Sequence, residues 1–346
     1  MNGMQLYLDS YRAFLSVRNG RFGVRLASGE ERHFAVREVS AILMTKGMGA
    51  TTDALLLAVE HDIPVLLIDA ETHAPQGILY SGKPGNTALV RRRQLTFSRS
   101  AEGLRWVANL LADKLLAQMR LLANMAERSD VPLAFVSGLA EGVRVLERIE
   151  RRFRRWKPSE RHRNWGEAEF GRVCEAFRGQ EGTASRVYFS QLGVLLSEVT
   201  ELTSRQKRPA YEPFNALLNY LYGMLYTSVL LALLKSGIDP YIGVLHADQY
   251  GGAPTLSYDF IEPYRPWADE VALRLMLSRE IRDDGDDFEW DSTGYGYRLS
   301  RQGRGKAIEA MLAYMDEVCP YQGRMLRRST QVDVAAQALA ALLKRD

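Results

Sequence analysis

Cysteine is scarce in this 346-residue sequence: Cys174 and Cys319 are the only two, too few for a disulfide framework and without the CxxC spacing of a zinc site. An excess of one charge is lacking too, since 45 Lys and Arg stand against 42 Asp and Glu for a net charge of +3. Attraction to a polyanion must therefore come from local clusters of basic residues. Long apolar runs are absent. The most apolar, Tyr220 to Leu234, contains Gly223, Thr227 and Ser228 and is shorter than the ~20 residues that cross a bilayer, so it reads as a buried helix and no membrane partner is expected. The first residues, MNGMQLYLDSYRAFLS, lack the basic segment and apolar run of a secretory signal. With so few thiols, a reduced, cytoplasmic setting is the expectation. No internal repeat is apparent.

What is present is an ordinary globular composition, 46% hydrophobic and 25% charged, in a chain long enough for two hydrophobic cores. From Met4 to Leu79, short runs such as LYLD, AFLSVR, FGVRLA and HFAVREVSAILM are rich in β-branched and aromatic residues and are separated by turns at Asn19-Gly20 and Ser28-Gly29. One short helix, TDALLLAVEHD, precedes the apolar strand IPVLLID. The segment SGKPGN, residues 81–86, punctuates the chain as a hinge. Helical spacing follows over Arg91 to Met125, with Leu104, Val107, Leu111, Leu115 and Met119 on one stripe. It returns over Pro132 to Trp156, Trp165 to Phe177, Ala184 to Leu202, Pro213 to Ser236, Pro266 to Arg282 and two C-terminal segments. The acidic stretch from Asp283 to Gly296 reads as an exposed loop. The expected fold is α+β, a small β-rich domain over residues 1–85 followed by a larger, nearly all-α domain over residues 86–346.

Chemistry-bearing residues concentrate in SGIDPYIGVLHADQYGGAPTLSYDFIEPYRP, which turns at Asp239-Pro240 and offers one imidazole, His246, with Asp259 and Glu262 three residues apart. On a helix those two carboxylates share a face and repel unless a cation lies between them. Hard oxygen donors suit Mg²⁺ or Mn²⁺, and an imidazole leans towards Mn²⁺. Spacing alone leaves open a solvated acid pair and a structural histidine.

The pattern is more specific than the spacing. His246, then Asp259-Phe260-Ile261-Glu262 and Pro263, together with Glu181-Gly182 opening a helical stretch that runs to Tyr188-Phe189, closely resemble the universal CRISPR-associated integrase family. The resemblance extends to Arg208-Pro209, PFNALLNYLYGMLY, GIDPYIGVLHAD, TTDALLLAVEHDIPVLLID and VRRRQL, nearly the whole chain. It implies a metal-dependent endonuclease and integrase in which Glu181, His246 and Glu262 hold Mg²⁺ or Mn²⁺. Asp259 would be either a ligand through water or the group that orients His246. Some family members have Asp where Glu262 stands. The family's substrates are double-stranded DNA, a short prespacer joined to the repeat of a CRISPR array. Its members are homodimers through the β-rich domain and clasp a dimer of a small ferredoxin-like adaptation protein.

Basic residues cluster over Arg144 to Arg163, eight Arg and one Lys against three Glu, where Arg151, Arg154 and Arg155 are candidate phosphate contacts. The alternative is a solvated helix with Glu147–Arg151 and Glu150–Arg154 pairs. Arg205 and Arg208 form a smaller cluster, and with Tyr188 they complete the expected DNA-binding set; Arg91 to Arg93 form another. Rival functions are a transposon-type integrase or free-standing nuclease on the same fold, and a non-enzymatic DNA-binding scaffold. His33, His61 and His73 lack paired carboxylates and read as structural, the acidic loop lacks calcium-loop order, and Cys174 reads as a buried thiol.

Overall fold

A computed structural model describes residues 4–9, 11–79, 87–158, 166–246 and 253–344, and the expected hinge at 81–86 lies outside them. The chain divides into two compact units, residues 1–87 and 88–346. The architecture is α+β, a β-rich unit followed by a mostly helical one.

The first unit carries β1 (Met4–Leu8), β2 (Phe14–Arg18), β3 (Arg21–Arg25), β4 (Glu31–Ala35), β5 (Val39–Met44), β6 (Gly49–Ala50), α1 (Thr52–Glu60), β7 (Val65–Ile68) and β8 (Pro75–Leu79). They form two four-stranded sheets, in the orders β1-β5-β7-β8 and β4-β3-β2-β6. Asn19 and Gly20 both adopt positive φ at the β2–β3 turn, the backbone that a tight two-residue hairpin requires. Thr51 caps α1 by accepting from the Ala54 amide. Leu15, Phe22, Ile42 and Val65 fill the core of this unit.

The second unit is built from α2 (Thr87–Ser98), α3 (Ala101–Ala126), α4 (Leu133–Arg155), α5 (Glu167–Leu196), α6 (Pro213–Lys235), α7 (Thr255–Phe260), α8 (Arg265–Leu277), α9 (Arg301–Asp316) and α10 (Arg328–Leu343). Three expectations are corrected. The stretch from Arg91 to Met125 breaks at residues 99–100, where the Ser100 side chain accepts from the Gly103 amide and starts α3. Gly103 is required there, because a Cβ would lie 2.2 Å from the Phe97 carbonyl oxygen. The separate helices expected over Trp165 to Phe177 and Ala184 to Leu202 are one helix, α5. Gly179 and Gly182 alone interrupt the pattern, and a helical glycine costs only about 1 kcal/mol. The acidic stretch from Asp283 to Gly296, expected as an exposed loop, carries a strand. Strands β9 (Phe288–Asp291) and β10 (Gly296–Leu299) pair antiparallel within and just beyond the acidic segment, and β11 (Val318–Tyr321) pairs with β12 (Arg324–Arg327).

Helix α6 is long and apolar enough to cross a membrane by length and composition, yet most of it is buried in the helical core. That core holds α3 against α4, α5 and α8, with α6 against α8. Phe153 of α4 is 1% exposed and meets Phe177 of α5 edge-on at 5.4 Å. Replacing Phe153 by Ala should destabilise the protein by about 3–5 kcal/mol. Urea unfolding followed by circular dichroism measures it, and a loss under about 1 kcal/mol would show that the α4–α5 seam does not depend on this ring.

Candidate active site

Two carboxylates far apart in sequence meet on one ammonium. Lys114 lies on the apolar stripe of α3, one turn from Leu111 and beside Leu115, and is 5% exposed. Its Nζ donates to Glu181 Oε1 at 2.5 Å and to Glu262 Oε2 at 2.6 Å. Glu181 stands on α5, and Glu262 opens the 3-10 turn, Glu262–Tyr264, that follows α7. The second oxygen of Glu262 accepts from Arg265 Nε at 2.7 Å. Two cations thus face two carboxylates, and for the buried members, Lys114 and Glu262, an unpaired charge would be prohibitive. Burial alone would raise the pKa of Glu262, but the charges of Arg265 and Lys114 prevail and hold it down at about 2. Burial likewise opposes the Lys114 ammonium, and Glu181 and Glu262 overcome it, so its pKa is raised.

His246 is placed by Asp259. The Asp259 side chain is fully enclosed; Oδ2 accepts the backbone N–H groups of Val244 at 2.6 Å and Leu245 at 3.1 Å, and Oδ1 lies 2.6 Å from His246 Nδ1. A carboxylate already accepting two N–H groups fixes the proton on Nδ1 and leaves Nε2 as the free nitrogen. The loop is fastened to the helix that carries Glu181, because Arg178, one turn before Glu181, donates to the Leu245 carbonyl at 2.8 Å. It is fastened to α7 as well, where Thr255 Oγ1 accepts from the Gly243 amide and donates to the Tyr241 carbonyl. A Cβ on Gly243 would meet Thr255 at 2.8 Å, so this approach needs glycine.

Beneath the acids lies a second buried network. Asp269 of α8 is 0% exposed and accepts from Tyr222 at 2.6 Å and Tyr188 at 3.0 Å. The Arg265 guanidinium sits 4.9 Å above the Tyr222 ring, and Arg205 stacks on the same ring at 5.2 Å. Tyr222 thereby joins Glu262, through Arg265, to Asp269.

Among the described residues no three His, Cys, Asp or Glu side chains stand together as a metal cluster; the cation between Glu181 and Glu262 is Lys114. The donor chemistry nevertheless suits a hard divalent ion, with two anionic carboxylates converging on one positive centre and an imidazole held with a nitrogen free.

The family model described as CRISPR associated protein Cas1 matches residues 6–312. The chain belongs to the Cas1 family. It is 25% identical over 350 residues to a protein of Archaeoglobus fulgidus named CRISPR-associated endonuclease Cas1 1, covering 99% of this chain and 96% of that one. A chain of a Cas6-RT-Cas1–Cas2 complex superposes with a TM-score of 0.76 at 20% identity over 99% of this chain, which spans 35% of that longer chain. A casposase bound to integration product superposes with a TM-score of 0.74 at 18% identity, covering 98% and 90% of the two chains. These structural likenesses are of fold.

Within this Cas1-family fold, the expected site residues fall into two linked pairs, Glu181 with Glu262 through Lys114, and His246 with Asp259. Of the basic candidates, Arg151 pairs with Glu147 at 2.8 Å, and Arg154 pairs with Asp113 at 2.7 Å and Glu150 at 3.1 Å, which are the intrahelical pairs of the solvated-helix alternative plus one to α3. Arg155 and Arg208 are exposed. Arg161 and Arg163 lie outside the described residues. Two expectations are corrected. Tyr188 is fully buried with its hydroxyl on Asp269, so it supports the site from below and cannot touch DNA. Arg205 is committed to Asn219 at 2.6 Å, Asn215 at 3.1 Å and the rings of Tyr222 and Phe189, which makes it a packing residue. His73 is buried and stacks on Tyr7, and Cys174 is a buried thiol, as their structural readings expected.

Lys114, Arg265, Tyr222 and Asp269 were not anticipated. A signal for Lys114 existed: Leu111, Lys114, Leu115 and Gln118 follow the i, i+3, i+4, i+7 template of a buried stripe, and a lysine there requires buried anions.

Burial pushes the Asp269 carboxyl up to about 6, against the opposing hydroxyls of Tyr222 and Tyr188 and the charges of Arg205 and Lys114. A carboxyl whose folded pKa exceeds its unfolded value keeps its proton in the folded state, so its contribution worsens as pH rises through that interval. The stability of the protein relative to Asp269→Asn should therefore fall by about 3 kcal/mol between about pH 4 and about pH 6, then level off. Urea titrations of both proteins across that range measure it. A pH-independent difference would contradict the buried, proton-retaining state.

Proposed function

We propose that this chain is a metal-dependent DNA integrase and endonuclease that joins short prespacer DNA to a CRISPR repeat by attack of a 3′-hydroxyl on a phosphodiester. The observation that carries the reading is the convergence of Glu181 and Glu262 on a single cation, in a Cas1-family chain whose one site imidazole, His246, is fixed by Asp259. The endonuclease name of the Archaeoglobus fulgidus relative supports the reaction class. The likeness to a casposase bound to integration product supports integration over simple cleavage.

A bound Mg²⁺ or Mn²⁺ supplies Lewis acidity to the phosphate and lowers the pKa of the attacking or departing oxygen. Glu181 and Glu262 would hold it, with His246 as the nitrogen donor. Asp259, engaged by two backbone amides and by Nδ1, orients His246 and presents Nε2; it is a positioning residue in this reading. Arg265 holds the second oxygen of Glu262 and so fixes the plane of that carboxylate. In the transfer, the new bond forms between the 3′-oxygen and phosphorus, the bond to the repeat strand's own 3′-oxygen breaks, and the proton passes from attacking to leaving oxygen. Exposed basic side chains such as Arg155 and Arg208 are placed to bind DNA phosphates, with Arg151 and Arg154 available if their exposed ion pairs, worth under about 1 kcal/mol, open.

The remaining parts of the reading are a homodimer held by the β-rich unit, a dimer of a small ferredoxin-like adaptation protein as partner, and a cytoplasmic setting. Exposed Leu56, Leu67 and Leu79 in that unit are consistent with a covered face, and the likeness to a chain of a Cas6-RT-Cas1–Cas2 complex supports a partner protein. A transposon-type integrase is the second reading, favoured by the casposase likeness; terminal inverted repeats in place of an adjacent CRISPR array would select it.

Single Ala substitutions of Glu181, His246 and Glu262 should each abolish joining of a short duplex to a supercoiled array plasmid in Mn²⁺, with little further loss in the double variants, because the three act as a unit. Asp259→Asn should instead lose about 10- to 100-fold and regain activity with added Mn²⁺. Near-normal joining by any of the Ala variants would remove that residue from the site, and wild-type joining without divalent ions would overturn the metal dependence.

A further inference from the structure

The ammonium of Lys114 stands in the one place where Glu181 and Glu262 meet, at 2.5 Å and 2.6 Å from their oxygens. A divalent ion held by both carboxylates would compete with Lys114 for them, and its charge would repel an ammonium at contact distance. The site as folded is therefore already filled by a cation of its own. Its surroundings are arranged unequally. The Glu181 side chain is 29% exposed and that of Glu262 7% exposed, so an ion arrives from the Glu181 side. Glu262 keeps Arg265 on its other oxygen and stays neutralised when one partner leaves. One turn along the same face of α3, Gln118 is 1% exposed and its Oε1 is buried without a hydrogen-bond partner among the described residues. Positions i and i+4 of a helix are side-chain neighbours, so that oxygen is within reach of a lysine at 114, and an orphaned acceptor in a buried site calls for an explanation.

We propose that Lys114 is an exchangeable internal cation, which holds Glu181 and Glu262 together in the metal-free protein and swings to Gln118 Oε1 when a divalent ion takes its place. This rests on the reading that the site takes such an ion. Lys114 is then a positioning residue: it keeps the two acids convergent and charge-balanced before metal arrives, and it lowers apparent metal affinity because the binding-competent arrangement is only partly populated.

Calorimetric titration of full-length wild-type and Lys114→Met proteins with Mn²⁺ tests it. The variant should melt lower than wild type without metal, bind Mn²⁺ about tenfold more tightly and gain more in melting temperature on saturation. Gln118→Leu, which removes the receiving oxygen, should bind more weakly than wild type. If Lys114→Met binds Mn²⁺ no more tightly than wild type, the exchange is wrong while the metal reading stands. If neither protein binds Mn²⁺, the metal reading fails and the exchange with it. Should Lys114→Met not fold, wild type labelled with ¹⁵Nζ-lysine decides, with the Lys114 signal assigned through Lys114→Arg. A signal that shifts in step with Mg²⁺ binding supports the exchange, and one unmoved at saturating Mg²⁺ overturns it.

Discussion

Two carboxylates brought together, one buried and one only partly exposed, are tolerable only with a cation between them, and that constraint orders the helical unit. Lys114 meets it from α3, Glu181 from α5 and Glu262 from the turn after α7, so two segments 67 and 148 residues beyond the α3 lysine must pack against α3 in one register or leave charge uncompensated. Breaking such a cluster by removing one member typically costs about 3–5 kcal/mol. The apolar core supplies most of the stability of the unit, but this cluster dictates which faces meet.

The glutamate at 262 matters to this arrangement. Its extra methylene, relative to the Asp of some family members, lets one oxygen reach Lys114 across to α3 while the other stays on Arg265 three residues along. Through the Tyr222 ring, Arg265 connects the acids to Asp269 and Tyr188. The acid pair thus stands on a layer of hydroxyls, guanidinium groups and one buried carboxyl, each satisfied by the next. A fully satisfied polar network of this kind rigidifies what lies above it, and the proposed strand transfer would depend on donors held in place before substrate arrives.

Much of this was legible in the chain itself. Strand alternation, the Asn19-Gly20 turn and the Thr51 cap marked the β-rich unit, and apolar spacing located α3, α4 and α6. The His246 turn and the acids at 259 and 262 marked the chemistry. The partition of roles between Asp259 and Glu262 was not legible, since both lie on one short helical stretch; only folding turns one towards His246 and the backbone of 244–245 and the other towards α3. Lys114 escaped notice because on a sequence a lone lysine in an apolar stripe looks like a stem that extends its charge to solvent. Arg205 and Tyr188 misled for the opposite reason. A basic residue and a tyrosine near a candidate site suggest DNA, but Arg205 spends its donors on Asn215 and Asn219, and Tyr188 is 0% exposed. Likewise, two of the six arginines of α4, Arg151 and Arg154, are paired with its own Glu147 and Glu150. Partner identity for a charged side chain is a long-range property, which periodicity does not encode.

The central claim is that Glu181, Glu262 and His246 form one divalent-metal site. Crystals of the protein soaked in Mn²⁺, with diffraction recorded at the manganese absorption edge, test it most directly. The account predicts an anomalous difference peak bounded by the two carboxylates and His246 Nε2, with Lys114 withdrawn from between Glu181 and Glu262. A peak elsewhere, or none with Lys114 still bridging the acids at saturating Mn²⁺, would contradict it.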